Sequence, residues 1–160
     1  MRYTLPSDNV DFFKSLIGQK ITNVSRRLLE SDLYLENYEQ MADGPTELVF
    51  SNGKIVSFFP WTEIFSIGIT QARIKQEGIS SIYKDLTNNS FWRQRVDRAI
   101  TKVIILKSTN ATEKDPMEFA IEFEFEDNIK VCIEYVDDPD SLIIIEQNEE
   151  TKCTKTVLSN

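Results

Sequence analysis

The stretch MEFAIEFEFEDNIKVCIEY, residues 117–135, alternates apolar and polar side chains and decides the fold. Strict period-two alternation is typical of a β-strand with one buried face, and its interruption near the middle predicts a hairpin. The buried face is predicted to contain Phe119, Ile121, Phe123, Phe125, Ile129, Val131, Ile133 and Tyr135. Both strands keep that face only if Phe125 lies opposite Ile129. The hairpin then has a three-residue loop with Asn128 in the left-handed position.

A second hairpin, in residues 44–69, obeys the same rule. Phe50 is predicted to lie opposite Lys54, so Gly53 takes the loop position that Asn128 has in the first hairpin. Two hairpins with one stereochemistry indicate that the chain repeats itself.

A search for internal similarity supports this repeat. Phe12-Phe13-Lys14 and Ile21-Thr22-Asn23-Val24 reappear with identical spacing as Phe91-Trp92-Arg93 and Ile100-Thr101-Lys102-Val103. Phe50 and Ser66-Ile67 are matched by Phe125 and Ser141-Leu142, again with the spacing unchanged. The order of elements is kept while the connections differ in length.

The sequence therefore predicts a β-rich α+β protein made of two pseudo-repeats, residues 7–70 and 89–146. Each repeat is expected to contain a helix and about four antiparallel strands. The two resulting antiparallel sheets would pack around one core in a single domain, residues 1–160. Residues 71–88 are interpreted as a connecting segment, with a helical turn over 78–86, and residues 147–160 as a polar tail.

The composition excludes most catalytic chemistry. The 160 residues include no His and only 2 Cys, so neither a Ser-His-Asp or Cys-His nucleophile nor a His-ligated metal is possible. Single, dispersed glycines exclude a phosphate-binding glycine loop. We expect no enzymatic activity, no cofactor and no bound metal. Calcium at Asp137-Asp138-Pro139-Asp140 is a lesser alternative, because the glycine and glutamate of an EF-hand loop are missing.

The compartment is predicted from the N-terminal residues and the cysteines. Residues 1–20 lack the apolar run of a signal peptide, and no stretch reaches the roughly 18 apolar residues of a membrane span. We expect a cytoplasmic protein in which Cys132 and Cys153 are free thiols.

The net charge of −8 is concentrated in one segment. Residues 113–150 contain 14 acids and two bases. One interpretation is a solvated sheet surface whose like charges discourage edge-to-edge aggregation. The other is a landing surface for a basic protein, since a carboxylate field speeds encounter with Arg and Lys clusters. This surface would consist of Glu122, Glu124, Glu126, Asp127, Asp137, Asp138 and Asp140.

Aromatic residues in connections supply further candidates. Tyr34, Tyr38 and Trp61 are predicted as interface anchors, with packing over a sheet edge as the alternative. The basic stretch with Arg93, Arg95 and Arg98 allows single-stranded nucleic-acid binding as another alternative. The acidic net charge opposes it, so we expect neither a nucleic acid nor a membrane as partner.

The chain resembles small bacterial domains of uncharacterised function. The resemblance covers the pattern GPTELVFSNGKIVSFFPWTEIFSIGI, residues 44–69, and more loosely residues 115–145. Some of those domains are immunity proteins that accompany toxins. The resemblance implies a cytoplasmic, non-enzymatic protein that neutralises a toxin by binding it. Because the chain is acidic, we expect the toxin to be a basic domain, such as a nuclease, whose active site this protein occludes. The alternative is a structural or regulatory module that self-associates through a sheet edge, for example as a homodimer.

Overall fold

A computed structural model describes residues 2–29, 44–74, 81–137, 140–148 and 152–159. Ten strands form two antiparallel sheets of five strands each. The first sheet contains β1 (Ile21–Leu29), β2 (Thr46–Phe50), β3 (Ile55–Trp61), β4 (Ser66–Thr70) and β5 (Ser81–Asp85). The second contains β6 (Ile100–Ser108), β7 (Glu118–Phe125), β8 (Lys130–Asp137), β9 (Asp140–Ile145) and β10 (Cys153–Leu158). The predicted β-rich architecture of two packed antiparallel sheets is confirmed.

Both sheets have the same strand order. The first is ordered β4-β3-β2-β1-β5, and the second is β9-β8-β7-β6-β10 when read in the same direction. Each half thus contributes five strands, one more than the sequence predicted.

The fifth strand of each sheet corrects two predictions. Residues 81–85 form β5 against β1, where the apolar spacing predicted a helical turn. Residues 153–158 form β10 against β6, where the sequence predicted a polar tail. The physical reason is shared: the nine-residue strands β1 and β6 each have a second edge whose N–H and C=O groups need partners.

Helical structure is sparse. A 3₁₀ turn, Pro6–Asn9, leads into the five-residue helix α1 (Val10–Lys14). In the described part of the second half, the α-helical structure is one turn, Ser90–Arg93, and the other helical element is a 3₁₀ turn, Glu126–Asn128, so a full helix in each half is not confirmed. The Asn89 side chain caps the Ser90–Arg93 turn by accepting a hydrogen bond from the Trp92 N–H at 2.8 Å.

Both hairpin loops are confirmed. The Phe125 N–H donates to the Ile129 carbonyl at 2.7 Å, and the Phe50 N–H donates to the Lys54 carbonyl at 2.9 Å. The predicted loop positions are left-handed, with φ of 84° at Gly53 and 59° at Asn128.

The core lies between the two sheets. Phe123 occupies its centre, where its ring lies 6.3–6.4 Å from the rings of Phe13, Phe50 and Phe58. The predicted buried face joins this core, with Ile129 partly buried: Ile121, Phe123, Phe125, Ile129, Val131, Ile133 and Tyr135.

Phe119 is the exception to the predicted face. It packs against a smaller cluster with Ala120 on the outer side of the second sheet, while Glu118 is buried and accepts hydrogen bonds from the Ser7 N–H and hydroxyl. The alternation breaks because the register between β6 and β7 shifts at Leu106. Such a bulge changes the face to which the following side chains point.

A buried arginine joins the two sheets. Arg26, fully buried in β1, donates from Nε to the Gly44 carbonyl at 3.1 Å and from Nη2 to the Leu142 carbonyl of β9. Its position between Val24 and Leu28 places it on the apolar face of β1. Hydrogen bonds to backbone carbonyls offset part of the free energy of burying this charge.

Candidate functional site

The predicted partner-binding carboxylates do not form one exposed face. Glu126 and Asp127 are exposed at the β7–β8 loop, and Asp137 is exposed at the opposite end of β8. Glu124 is half-buried, and Glu122 is only 4% exposed. The carboxylates are therefore divided between the two ends of the second sheet.

Other predicted site residues fall elsewhere. Tyr34, Tyr38 and Asp138 lie outside the described residues, and Asp140 is described only as the first backbone position of β9. Trp61 ends β3, in the other sheet.

The environment of Glu122 differs from that of a solvated carboxylate on a sheet surface. In the structure, Glu122 lies in register between Ile104 of β6 and Cys132 of β8, both buried. Burial raises the pKa of the Glu122 carboxyl, and the positive charges of Lys130 and Lys155 oppose this shift.

Cys132 shares this apolar row. Burial is the main cause that raises the pKa of its thiol far above the usual range, and the charges of Glu134 and Glu122 act in the same direction. Because the thiolate is the nucleophile, the raised pKa lowers the reactivity of this thiol at neutral pH.

The first sheet has a glutamate at the equivalent position, which the sequence analysis missed. When Phe50 is matched with Phe125, Glu47 corresponds to Glu122. Glu47 is 2% exposed, and its carboxylate accepts hydrogen bonds from Arg73 Nη1 at 3.0 Å and from the Ile74 N–H at 2.9 Å. This match between the two halves was the signal that could have identified Glu47.

Trp61 belongs to an aromatic cluster on the first sheet. The Tyr3 ring stacks on Phe59 at 4.9 Å and meets the edge of Trp61 at 5.6 Å. Gly68 leaves room for Tyr3, since a Cβ on Gly68 would lie 2.7 Å from Tyr3 Cγ. The half-buried Trp61 thus packs against Tyr3 within the molecule.

The basic stretch is engaged within the molecule. Arg95 is 3% exposed, lies 3.8 Å from the centre of the Phe91 ring, and donates to the Lys130 and Phe91 carbonyls at 2.7 Å. Arg98 pairs with Asp127 at 2.7 Å. Trp92 is fully buried in the core.

Within the described ranges, no group of three or more acidic or cysteine side chains could hold a metal ion. No described helix combines the length and apolar character needed to cross a membrane.

Comparisons with known proteins give no relative for this chain. No family model, no curated protein and no solved structure matches it.

Proposed function

We propose that this chain is a non-enzymatic binding protein that occludes a basic protein partner. Bacterial toxin-immunity and inhibitor proteins act in this way, and a nuclease is a suitable toxin because nucleic-acid sites are basic. The proposed partner surface is the acidic side of the second sheet together with its loops.

One observation carries this proposal: the charge difference between equivalent strands. The acidic segment folds into β7, β8 and β9, with at least partly exposed carboxylates at Glu124, Glu126, Asp127, Glu134 and Asp137. The equivalent strands β2, β3 and β4 and the turns between them contain two acids, Glu47 and Glu63. A negative electrostatic field concentrated on one sheet favours a positively charged partner.

The test begins with capture of the tagged protein's partners from its source cells at low and moderate salt. We expect a stoichiometric basic protein that salt releases. At low salt, this partner should associate with the Glu124→Lys/Glu126→Lys variant about tenfold more slowly than with the parent protein. The matched control, Glu63→Lys/Asp85→Lys, makes the same charge change at exposed positions near the first sheet. Equal slowing by both variants, or no slowing, would remove the acidic side from binding.

The sheet edge supports a second candidate function, self-association. β10 is the last strand in the order of the second sheet, and its Val157 side chain is 51% exposed. Such an edge can pair with a second copy. Sedimentation velocity should then show a concentration-dependent dimer that Thr156→Pro removes. A monomer at all concentrations excludes this function.

We also infer that residues 7–70 and 89–146 are copies of one duplicated unit. Reciprocal hydrogen bonds support this inference. The Gly18 N–H donates to the Ile100 carbonyl at 2.7 Å, and the Asp97 N–H donates to the Ile21 carbonyl at 3.1 Å. These two pairs exchange with each other when Ile21 is matched with Ile100.

Gly18 and Asp97 are both left-handed, with φ of 85° and 66°. Asp97→Gly, which places the first half's residue in the second half, should therefore maintain or raise the melting temperature. A β-branched residue in Asp97→Val should lower it. A lower melting temperature for the glycine variant would contradict the equivalence.

A further inference from the structure

A cavity of about 290 Å³ opens where β7 begins and β8 ends. Its lining combines aromatic residues, Phe65, Phe119 and Tyr135, with the acidic side chains of Glu134 and Asp137. The cavity combines flat apolar surfaces with negative charge. It is separate from the exposed carboxylates of the β7–β8 loop, which lie at the other end of β8.

Hydrogen bonds orient both carboxylates of the cavity. Glu134 Oε2 accepts from Asn148 Nδ2 at 2.9 Å, and Asp137 Oδ1 accepts from the Tyr135 hydroxyl at 3.1 Å. The two oxygens of a carboxylate have about four acceptor sites, so a carboxylate can accept several hydrogen bonds at once. Lys152 adds one positive charge to the lining, which the two carboxylates outweigh.

The aromatic residues suit a planar cation. Phe65 and Phe119 are half-buried, so each keeps accessible ring surface. A guanidinium group stacks on aromatic faces and donates in parallel to carboxylate oxygens, whereas an ammonium is a compact point charge. The same chemistry already occurs in this chain, where the Arg95 guanidinium lies 3.8 Å from the centre of the Phe91 ring.

Two left-handed residues form part of the cavity wall. Phe65 has φ of 53° and Met117 has φ of 49°, a conformation that non-glycine residues adopt at a cost. The Met117 N–H donates to the Ile64 carbonyl at 3.4 Å, so the turn before β4 and the turn before β7 are tied together. The shape of the cavity wall therefore depends on contacts between the two sheets.

We propose that this cavity binds the guanidinium group of an arginine side chain on the basic partner. The inference rests on the proposed function only for the source of the arginine. The ligand chemistry comes from the cavity itself, through stacking between the rings and hydrogen bonds to Glu134 and Asp137.

The test uses the full ¹⁵N-labelled chain titrated with L-arginine amide. We expect saturable shifts of the amide signals of Met117, Phe119 and Asp137. L-citrulline amide, which is similar in shape but lacks the guanidinium charge, should produce none. Shifts that do not saturate, or equal shifts with L-citrulline amide or L-lysine amide, would overturn the proposal.

Variants locate the site. Glu134→Gln/Asp137→Asn should weaken L-arginine amide binding by about tenfold or more, since charge-assisted hydrogen bonds are lost. Glu126→Gln/Asp127→Asn makes the same charge change at the other end of β8 and should retain the affinity. The exposed single variant Asp137→Asn, whose fold the same spectra report, should weaken binding in the same direction. Unchanged affinity in this single variant and in the double variant overturns the assignment.

The two proposals fail separately because L-arginine amide needs no partner. Saturable binding without any captured basic protein would support the cavity and contradict the proposed function. A captured basic partner, together with no L-arginine amide binding, would support the function and overturn the cavity as its arginine site.

Discussion

On the outer face of each sheet, one row of in-register residues crosses all five strands, and the two rows occupy equivalent positions in the two halves. The row in the first sheet is polar, and the row in the second sheet is mainly apolar. In the first sheet, one row across five strands is Asp85, Ser25, Glu47, Ser57 and Thr70. In the second sheet, the equivalent row is Val157, Ile104, Glu122, Cys132 and Ile145. Both central glutamates are buried, but only Glu47 has polar neighbours in register on both sides. The comparison shows that an acidic residue in a strand takes its role from its cross-strand neighbours.

The partners of the two carboxylates differ accordingly. Glu47 binds Arg73 and the Ile74 N–H, which ties residues 73 and 74 to the outer face of the first sheet. Glu122 has Lys130 and Lys155 near enough to act through charge, while its register neighbours are apolar. We therefore expect loss of the charge to destabilise the first sheet and not the second.

Glu47→Ala should produce the largest effect. It leaves the buried Ile74 N–H without its acceptor, so the free energy of unfolding should fall by about 3 kcal/mol in urea titrations. Arg73→Ala is the control: Arg73 is 64% exposed, and losing its ion pair should lower stability by about 1 kcal/mol or less. Equal losses in both variants would assign the stabilisation to the ion pair and contradict the role of the Ile74 N–H.

Gly68→Ala should produce the next largest effect. The new Cβ would displace the Tyr3 ring from the first sheet, and we expect a loss of about 2 kcal/mol in the same titrations. The second sheet has Ile143 at the equivalent position, so a side chain is accepted there.

The double variant Tyr3→Gly/Gly68→Ala tests the cause of this loss. It should be no less stable than Tyr3→Gly alone, because neither the ring nor the Cβ of Tyr3, which would lie 2.7 and 3.0 Å from the new Cβ, remains to be displaced. Additive losses would show that Gly68 is needed for another reason.

Glu122→Gln should have a small effect of opposite sign to Glu47→Ala. Removing a buried charge among apolar neighbours is expected to change stability at pH 7 by between zero and about 1 kcal/mol in the stabilising direction. Glu124→Gln is the control, with the same charge change at a half-buried position of the same strand. A gain of equal size in the control would attribute the effect to net charge.

The pH dependence of Glu122→Gln sharpens this prediction. Because the folded pKa is raised above the usual 4.5, the folded protein binds more protons than the unfolded chain between these two pKa values. The contribution of Glu122 to stability therefore decreases as the pH rises through this window. The stability difference between variant and parent should grow from pH 4.5 upward and then level off. A difference that is constant with pH would contradict a raised pKa.

Thiol reactivity should distinguish the two cysteines without a change in stability. Cys132 is buried with a raised pKa, while Cys153 on the edge strand β10 is half-buried. With an excess of a disulfide reagent, one thiol should react in the folded state and the second only upon unfolding. Cys153→Ser should abolish the fast phase. A fast phase that persists in this variant would show that Cys132 is accessible.

Local patterns were sufficient to predict the two hairpins and, apart from Phe119, the buried face of β7 and β8. The alternation from Ile121 to Tyr135 fixed the buried face, and the even register fixed the loop with Asn128 in the left-handed position. These features depend on neighbouring residues, so the amino-acid order specifies them. The charge asymmetry between the halves was likewise visible in the composition.

The functional surface could be predicted only in part. The sequence identified the acidic segment, but it did not indicate that Glu118 and Glu122 are buried while Glu126 and Asp127 are exposed. A bulge near Leu106 moves Phe119 to the outer side, and a strand pattern alone does not reveal a bulge.

The sequence by itself determined the strand pattern, the hairpin loops and the concentration of charge, because each follows from residues close together in the chain. Only the tertiary structure decided that β5 and β10 complete the sheets, that Arg26 joins β1 to β9, and that Glu47 and Glu122 have different environments. The physical reason is that edge-strand pairing and the burial of a charge depend on hydrogen-bond partners and neighbours distant in sequence.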